Sequence, residues 1–208
     1  MTILLSDPRV SAIPLHESGE RMVALDASFG SAGALVRAGL AARLVEAQRL
    51  LPPGVGLEVV EGHRPAAAQQ AIIAGYSAEL RAAHPGIPAG ELYQLTSRFV
   101  APINVAPHVA GAAVDVTLVD ATRKPLDLGT PIDANPEQSN GACYFAADGI
   151  GSTARACRDL LSAALTGAGL VNYPTEWWHW SYGDRYWALT TGAPAALYGP
   201  VDVQSDAA

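Results

Sequence analysis

The stretch GAAVDVTLV, residues 111–119, constrains the fold more than any other part of the sequence. Its residues alternate with a period of two, the spacing of a β-strand whose two faces meet different surroundings. One face comprises Ala112, Val114, Val116 and Leu118, and the other comprises Ala113, Asp115 and Thr117. The first set predicts a face that packs in the core, and the second places an acid on the opposite face.

A helix and a second strand are predicted before this strand. Apolar residues follow one helical stripe within 31–51, and the sequence PPG that follows would end the helix. The stripe comprises Leu35, Val36, Leu40, Leu44, Val45 and Leu51. The next segment, VGLEVVEGHRP, predicts a strand that ends at Gly62.

Two further helices and one long loop complete the predicted elements. Pro65 is placed to open a helix over 66–83, which breaks at the sequence HPGIP. Residues 120–150 are rich in Pro, Gly, Asp and Asn and predict a long loop, of the kind that is usually functional or disordered. The stretch 152–169 predicts a third helix, with Ser152 or Thr153 as its cap and Gly167 or Gly169 at its end.

The order of these elements is not a regular alternation of strand and helix. No internal repeat, low-complexity tract or change in composition marks a linker. We therefore expect a single α+β domain over residues 1–208, with a small, mainly antiparallel sheet and helices packed on one side of it.

Charge and hydropathy limit the classes of partner. The formal net charge of −7 argues against sequence-independent binding to nucleic acid phosphates or to anionic lipid, so small molecules or proteins are the expected partners. No apolar run reaches the roughly 18 residues that span a bilayer, and the first twenty residues lack a signal-peptide pattern. We therefore expect no membrane association, a cytoplasmic location, and free thiols at Cys143 and Cys157.

The stretch YPTEWWHWSYGD, residues 173–184, places an acid and a histidine in an aromatic segment. Burying Glu176 without a partner would cost several kcal/mol, as an order of magnitude, or would force its protonation. Glu176 and His179 are three residues apart, so an ideal strand would place them on opposite faces. Pro174 makes an irregular chain plausible, and we expect Glu176 in a loop or bulge with His179 in the strand that follows.

Catalytic zinc usually takes three protein ligands from His, Cys and carboxylates and keeps one position open for water. His108 precedes Asp115 by seven positions, and Gly111 between them allows a sharp turn into the strand. His179 supplies a second imidazole, and Glu176 supplies a carboxylate that is not needed as a ligand. These residues are candidates for one zinc site.

Four motifs of the chain together resemble a known family. They are EGHRP (61–65), FVAPINVAPHVAGAAVDVTL (99–118), LGTPID (128–133) and GLVNYPTEWWHWSYGDRYW (169–187). The set is similar to the successive motifs of the zinc-dependent D-alanyl-D-alanine dipeptidases, which are known from vancomycin-resistance operons and from relatives outside them. The resemblance implies the fold of the zinc D,D-peptidases, which is hedgehog-like, and one zinc ion per chain.

The resemblance also implies roles for individual residues. His108, Asp115 and His179 match the metal ligands of the family, and Glu176 matches its general base. Arg64 in EGHRP matches the arginine that stabilises the oxyanion. Asp133, at the end of LGTPID, matches a carboxylate near the free amino group of the substrate.

The chain departs from the family pattern at three positions. His63 stands where many relatives have tyrosine, Leu128 where many have methionine, and Ala106 where some have a serine that contacts the site. These changes leave the exact substrate preference open. His16, His63 and His84 are expected to be structural or exposed, and Trp177, Trp178 and Trp180 to be divided between core and pocket wall.

The expected function is therefore a zinc dipeptidase that cleaves D-alanyl-D-alanine and related dipeptides with a C-terminal D residue. One alternative is a D,D-carboxypeptidase or endopeptidase that trims longer peptidoglycan peptides. Another is a zinc-holding binding module without catalysis, which would need neither Glu176 nor Arg64. The sequence does not decide between resistance, D-alanine recycling and nutrient use, nor the oligomeric state.

Overall fold

The computed structural model describes residues 2–202 of the chain. Within that range the helices are α1 (Pro8–Ala12), α2 (Ala38–Leu50), α3 (Ala66–Ala83), α4 (Ala89–Thr96), α5 (Ser152–Gly167) and α6 (Arg185–Thr191). The strands are β1 (Met22–Ala24), β2 (Leu35–Arg37), β3 (Val55–Glu61), β4 (Ala113–Asp120), β5 (Val171–Asn172) and β6 (His179–Ser181). Short 3₁₀ turns form at Ala27–Phe29, Ile103–Val105 and His108–Ala110.

The larger sheet has four strands in the order β3-β4-β6-β5, and every neighbouring pair is antiparallel. This confirms the prediction of a small, mainly antiparallel sheet in a mixed helix and sheet fold. A separate two-stranded antiparallel ribbon joins β1 to β2 and was not predicted. The predicted strand over 111–119 is β4, which lies in the interior of the larger sheet.

The main core lies between one face of this sheet and the helices α2 and α5. Its best-buried members are fully inaccessible to solvent: Leu40 and Leu44 of α2, Leu161 and Leu165 of α5, and Val114, Val116 and Leu118 of β4. Each such side chain stabilises the fold by about 1.5–3 kcal/mol relative to exposure. The predicted core face of the strand is thus confirmed, except that Ala112 packs in a separate cluster with Ala110 and Tyr198.

The first predicted helix begins later than the pattern indicates. Leu35 and Val36 belong to β2, where they pair with Ala24 and Val23, and the helix begins at Ala38. The apolar pattern at Leu35 and Val36 fits a helix as well as a strand, and the pairing with β1 favours the strand. Val45, which was assigned to the apolar stripe, is 41% exposed.

The start of α5 also differs from the prediction, whereas its end does not. Gly151 is the N-cap and makes no side-chain cap bond, because Ser152 and Thr153 already lie inside the helix. The helix ends at Gly167, and Gly169 then adopts a left-handed φ of 87°, as a helix end favours.

Residues 121–150 contain no helix or strand in the described structure, as predicted for the long loop. The fully buried Arg158 of α5 anchors this loop by donating to four backbone carbonyls, of which Phe145 O is the most distant at 3.3 Å. Its Nε donates to Leu128 O at 2.7 Å, Nη1 to Tyr144 O at 2.6 Å and Nη2 to Ala142 O at 2.8 Å. The loop is therefore held against the core by charge-assisted hydrogen bonds.

Two other predictions concern thiols and membranes. Cys143 and Cys157, both among the described residues, are free thiols, as predicted. Between residues 2 and 202 no helix has both the length and the apolar character needed to cross a membrane.

Candidate active site

The sheet brings three predicted ligands to one place. Asp115 and His179 are direct cross-strand partners in β4 and β6, so their side chains lie on the same face. His108 lies in a 3₁₀ turn just before β4, and Gly111 reverses the chain with a left-handed φ of 62°. A Cβ at that glycine would lie 2.4 Å from Cε of Met22, so both conformation and space favour glycine there.

The ligand atoms of these three side chains are close together and buried. His108 Nε2 lies 3.0 Å from His179 Nδ1 and 3.3 Å from Asp115 Oδ1, and His179 Nδ1 lies 3.2 Å from Asp115 Oδ1. His108 Nδ1 lies 2.7 Å from Gly62 O, which fixes it as the donor and leaves the Nε2 lone pair facing the group. Two imidazoles and one carboxylate with converging lone pairs fit a transition metal ion such as zinc.

The protonation states of the three side chains depend on their burial and on one another. Burial favours the neutral form of Asp115, but the adjacent His108 and His179 outweigh it and hold the pKa of Asp115 well below its usual range. Burial lowers the pKa of His179. Burial acts in the same direction on His108, but the charge of Asp115 outweighs it and raises the pKa of that imidazole. The site therefore offers an ionised carboxylate and a neutral His179, and metal binding would displace a proton from His108 where that ring is protonated.

Glu176 occupies the predicted position in the loop before β6, and His179 is the first residue of that strand. The Glu176 side chain is buried, and its Oε2 lies 3.8 Å from His179 Nδ1. Asn172 steadies the loop because its Nδ2 donates to Glu176 O at 2.9 Å. Burial, with the nearby negative charges of Asp115 and Asp133, raises the pKa of Glu176 well above its usual value.

Arg64 lies at the wall of the same cavity, directly before α3. Its backbone N–H donates to His108 O at 3.2 Å, which ties it to the metal group. Its guanidinium pairs side-on with Glu61 and donates to Gln69 Oε1 at 2.8 Å. Burial opposes the charge, but Glu61 more than offsets it and raises the pKa of Arg64. Glu61 and Gln69 were not predicted, although Glu61 precedes Arg64 by only three residues.

Asp133 lines the cavity from the long loop, and its side chain is more open to solvent than that of Glu176. Its left-handed φ of 64° is one that aspartate tolerates better than most residues. Partial desolvation and the negative charges of Asp115 and Glu61 raise the pKa of Asp133. A cationic group of a ligand would relieve that repulsion.

These polar groups share one cavity of about 440 Å³. Its apolar wall includes Leu5, Val60, Ile72, Phe99, Val100 and Trp178. All three tryptophans pack in the main core, and Trp178 also lines the cavity, so the cluster serves both core and cavity wall as predicted. A cavity of this size suits a small molecule, with polar groups at its base to orient it.

The remaining sequence candidates lie at other positions. Ala106 lines the cavity, and Leu128 is buried in the main core. His63 Nε2 lies 2.9 Å from Val201 O, consistent with a structural role. His16 and His84 are exposed, as predicted.

Comparison with known proteins places the chain in a family. The family model described as D-ala-D-ala dipeptidase, Peptidase_M15, matches residues 30–192. A D-alanyl-D-alanine dipeptidase of Synechocystis sp. is 28% identical over 217 residues, which cover 85% of this chain and 87% of the relative.

Two solved structures are similar to the chain. VanYB in complex with D-alanine-D-alanine has a TM-score of 0.50 at 21% identity, and the match covers 85% of this chain and 86% of that one. A mutant of the vancomycin resistance D,D-pentapeptidase VanY in complex with Zn(II) has a TM-score of 0.49 at 20% identity, covering 89% and 90%. At 21% identity, the likeness to VanYB shows a shared fold and nothing about the activity. Because the family model spans well over half of the sequence, the chain belongs to the D-Ala-D-Ala dipeptidase family, whose members are zinc metallopeptidases.

Proposed function

We propose that the protein is a zinc dipeptidase that hydrolyses D-alanyl-D-alanine and related dipeptides with a C-terminal D residue. One observation carries the proposal: a buried His108, Asp115 and His179 group lies beside the buried Glu176 in a single small cavity. His108 Nε2, Asp115 Oδ1 and His179 Nδ1 would hold the zinc ion. Family membership and the dipeptidase relative support the choice of substrate class.

Glu176 is proposed as the general base and then the general acid. Zinc, when bound, lowers the pKa of a coordinated water from about 15.7 to about 7 and so supplies a nucleophile at neutral pH. The Glu176 carboxylate accepts a proton from the water as the water oxygen attacks the scissile carbonyl carbon. It then gives that proton to the nitrogen of the departing residue as the C–N bond breaks. Burial suits this exchange because it raises the pKa of the carboxylate.

Arg64 is proposed to stabilise the negative charge that develops on the carbonyl oxygen. Its guanidinium stays protonated at any relevant pH and lines the cavity next to the metal group. Glu61 and Gln69 accept from three of its five N–H groups, which restrains the guanidinium and leaves two donors for a ligand. A preorganised donor of this kind typically contributes about 10²- to 10³-fold in rate.

Asp133 is proposed to bind the free ammonium group of the dipeptide. The carboxylate lines the same cavity as the metal group, but it belongs to the long loop and not to the paired strands. A partly desolvated ammonium needs an acidic partner, and Asp133 supplies one. This pairing would select dipeptides over longer peptides, whose amino group is acylated at the same position.

The experiment incubates purified protein with D,D, L,D and L,L dipeptides, and with N-acetylated D,D dipeptides, in the presence and absence of a chelator. Release of free amino acid from unblocked D,D dipeptides, abolished by chelator and restored by zinc, is expected. Faster cleavage of the acetylated substrates would favour the carboxypeptidase alternative. Zinc binding without hydrolysis of any substrate would favour the binding module.

A further inference from the structure

Arg64 can serve an oxyanion only if its long side chain is held in one orientation. Its guanidinium has five N–H donors. Nε donates to Glu61 Oε1 at 2.8 Å, Nη2 donates to Glu61 Oε2, and Nη1 donates to Gln69 Oε1 at 2.8 Å. Three donors are therefore used inside the protein, and two remain for a ligand.

Gln69 is the better fixed of the two partners. It lies in the first turn of α3, and only 1% of its surface is exposed. Its Nε2 donates to Ala101 O at 2.8 Å, while its Oε1 accepts from Arg64. A flipped amide would place its NH₂ against the guanidinium and its oxygen against the carbonyl, so the orientation is determined by both neighbours.

Glu61 and Gln69 act on Arg64 in different ways. Glu61 neutralises part of the positive charge, and a third of its side chain is exposed. Gln69 is neutral and buried, so it can restrain the guanidinium without reducing the charge that an oxyanion would meet. Glu61 therefore balances the charge of the Arg64 guanidinium, and Gln69 orients it.

We propose that Gln69 is a positioning residue for catalysis, whose amide links the Arg64 guanidinium to the Ala101 carbonyl and so holds the guanidinium in one orientation. The inference rests on the proposed role of Arg64 in the hydrolysis. Its specific consequence is that any effect of Gln69 on kcat passes through Arg64. A residue that merely joined α3 to the segment at Ala101 would affect activity whether or not Arg64 were present.

The test is a double-mutant cycle of Gln69→Met and Arg64→Ala in the zinc-loaded protein, with kcat and KM measured for D-alanyl-D-alanine. Gln69→Met alone is expected to lower kcat about tenfold, with little change in KM. This is the lower end of the loss seen when a hydrogen-bond partner that orients a residue of a metal site is removed. In the Arg64→Ala background the same change should leave kcat unchanged. An equal tenfold loss in both backgrounds would overturn the inference.

A matched control is Gln48→Met. Gln48 also ties a helix to neighbouring backbone, here that of β3, through both ends of its amide, since Nε2 donates to Val55 O at 3.2 Å and Oε1 accepts from Leu57 N at 2.8 Å. It does not line the cavity. Gln48→Met is expected to lower the Tm and leave kcat unchanged, and a loss of kcat as large as that of Gln69→Met would count against a special role for Gln69.

Two further results separate the inference from the proposed function. If Gln69→Met does not fold, Gln69→Asn keeps a neutral amide on a side chain that is one methylene shorter and cannot reach both Arg64 and Ala101, and the same cycle applies to it. If Arg64→Ala alone retains full kcat, the proposed role of Arg64 fails first. If Arg64→Ala lowers kcat and the cycle is additive, only the inference about Gln69 fails.

Discussion

The two faces of β4 are both buried but serve different purposes. On one face Val114, Val116 and Leu118 pack in the apolar core with residues of α2 and α5. On the other face Asp115 lies beside His179 of the adjacent strand and His108 of the preceding turn. The same period of two that supplies the core therefore also presents a ligand to the cavity.

The comparison shows how the fold and the site depend on each other. Burial of the apolar face favours folding directly, whereas burial of the Asp115 face brings polar atoms together at a cost that partners must offset. Rigid strand pairing holds Asp115 and His179 in register, so the site needs the core. The core does not need the site in return, and substitutions on the two faces should therefore have separable effects.

The largest expected effect follows from placing a charge on the core face. Val116→Asp buries an unpaired carboxylate among leucines and should cost about 4 kcal/mol or more, which is enough to unfold many domains. Thermal unfolding followed by circular dichroism measures it. The control Val116→Ala should cost roughly 2 kcal/mol and keep the fold. A Val116→Asp variant with the wild-type Tm would contradict the assignment of the two faces.

The next effect is on the site face. His108→Ala should reduce bound zinc from one ion per chain to nearly none and abolish hydrolysis, because two ligands hold zinc much more weakly than three. The far-UV spectrum should stay native. Elemental analysis measures the zinc content, with the exposed His84→Ala as the control that keeps it. Undiminished zinc in His108→Ala would remove this residue from the ligand set.

A smaller effect is expected at the cavity wall. Arg64→Lys keeps the charge but loses the planar donor fork, and kcat should fall by about 10²- to 10³-fold with a smaller change in KM. Steady-state kinetics with D-alanyl-D-alanine measures both constants. Arg49→Lys, at an exposed position of α2, should change neither. A rise in KM at constant kcat would assign Arg64 to substrate binding instead.

The smallest effect concerns Asp133, which lines the cavity from the long loop. Asp133→Asn should raise KM for free dipeptides by about tenfold, the value of a charge-assisted hydrogen bond, and should leave N-acetylated substrates unaffected. Asp148→Asn, exposed in the same loop, is the control. Equal effects of Asp133→Asn on both kinds of substrate would exclude it from the ammonium site.

Much of the fold around the site could be predicted from the sequence because the deciding signals are local. The alternation in β4 predicted the core face, and Pro174 with the spacing of Glu176 and His179 predicted a loop followed by a strand. The structure then brought all six predicted site residues to one cavity. Their chemical roles remain proposals.

The features that sequence reasoning missed depend on partners far away in the chain. β2 forms because it pairs with β1, although its residues also fit a helical stripe. Gln69 matters because its amide reaches Ala101, which lies 32 residues further along the chain. Neither pairing leaves a local pattern, so only the folded structure reveals them.

The central claim is that Glu176 acts as a base beside the metal and is not a ligand. Glu176→Gln fills the same volume but cannot accept a proton, so zinc content and substrate affinity should stay near wild type. The kcat should fall by about 10²- to 10⁴-fold, the usual contribution of general acid–base catalysis. Zinc content and kcat measured on the same preparation decide the question. Stoichiometric loss of zinc, or wild-type turnover of D-alanyl-D-alanine, would contradict the account.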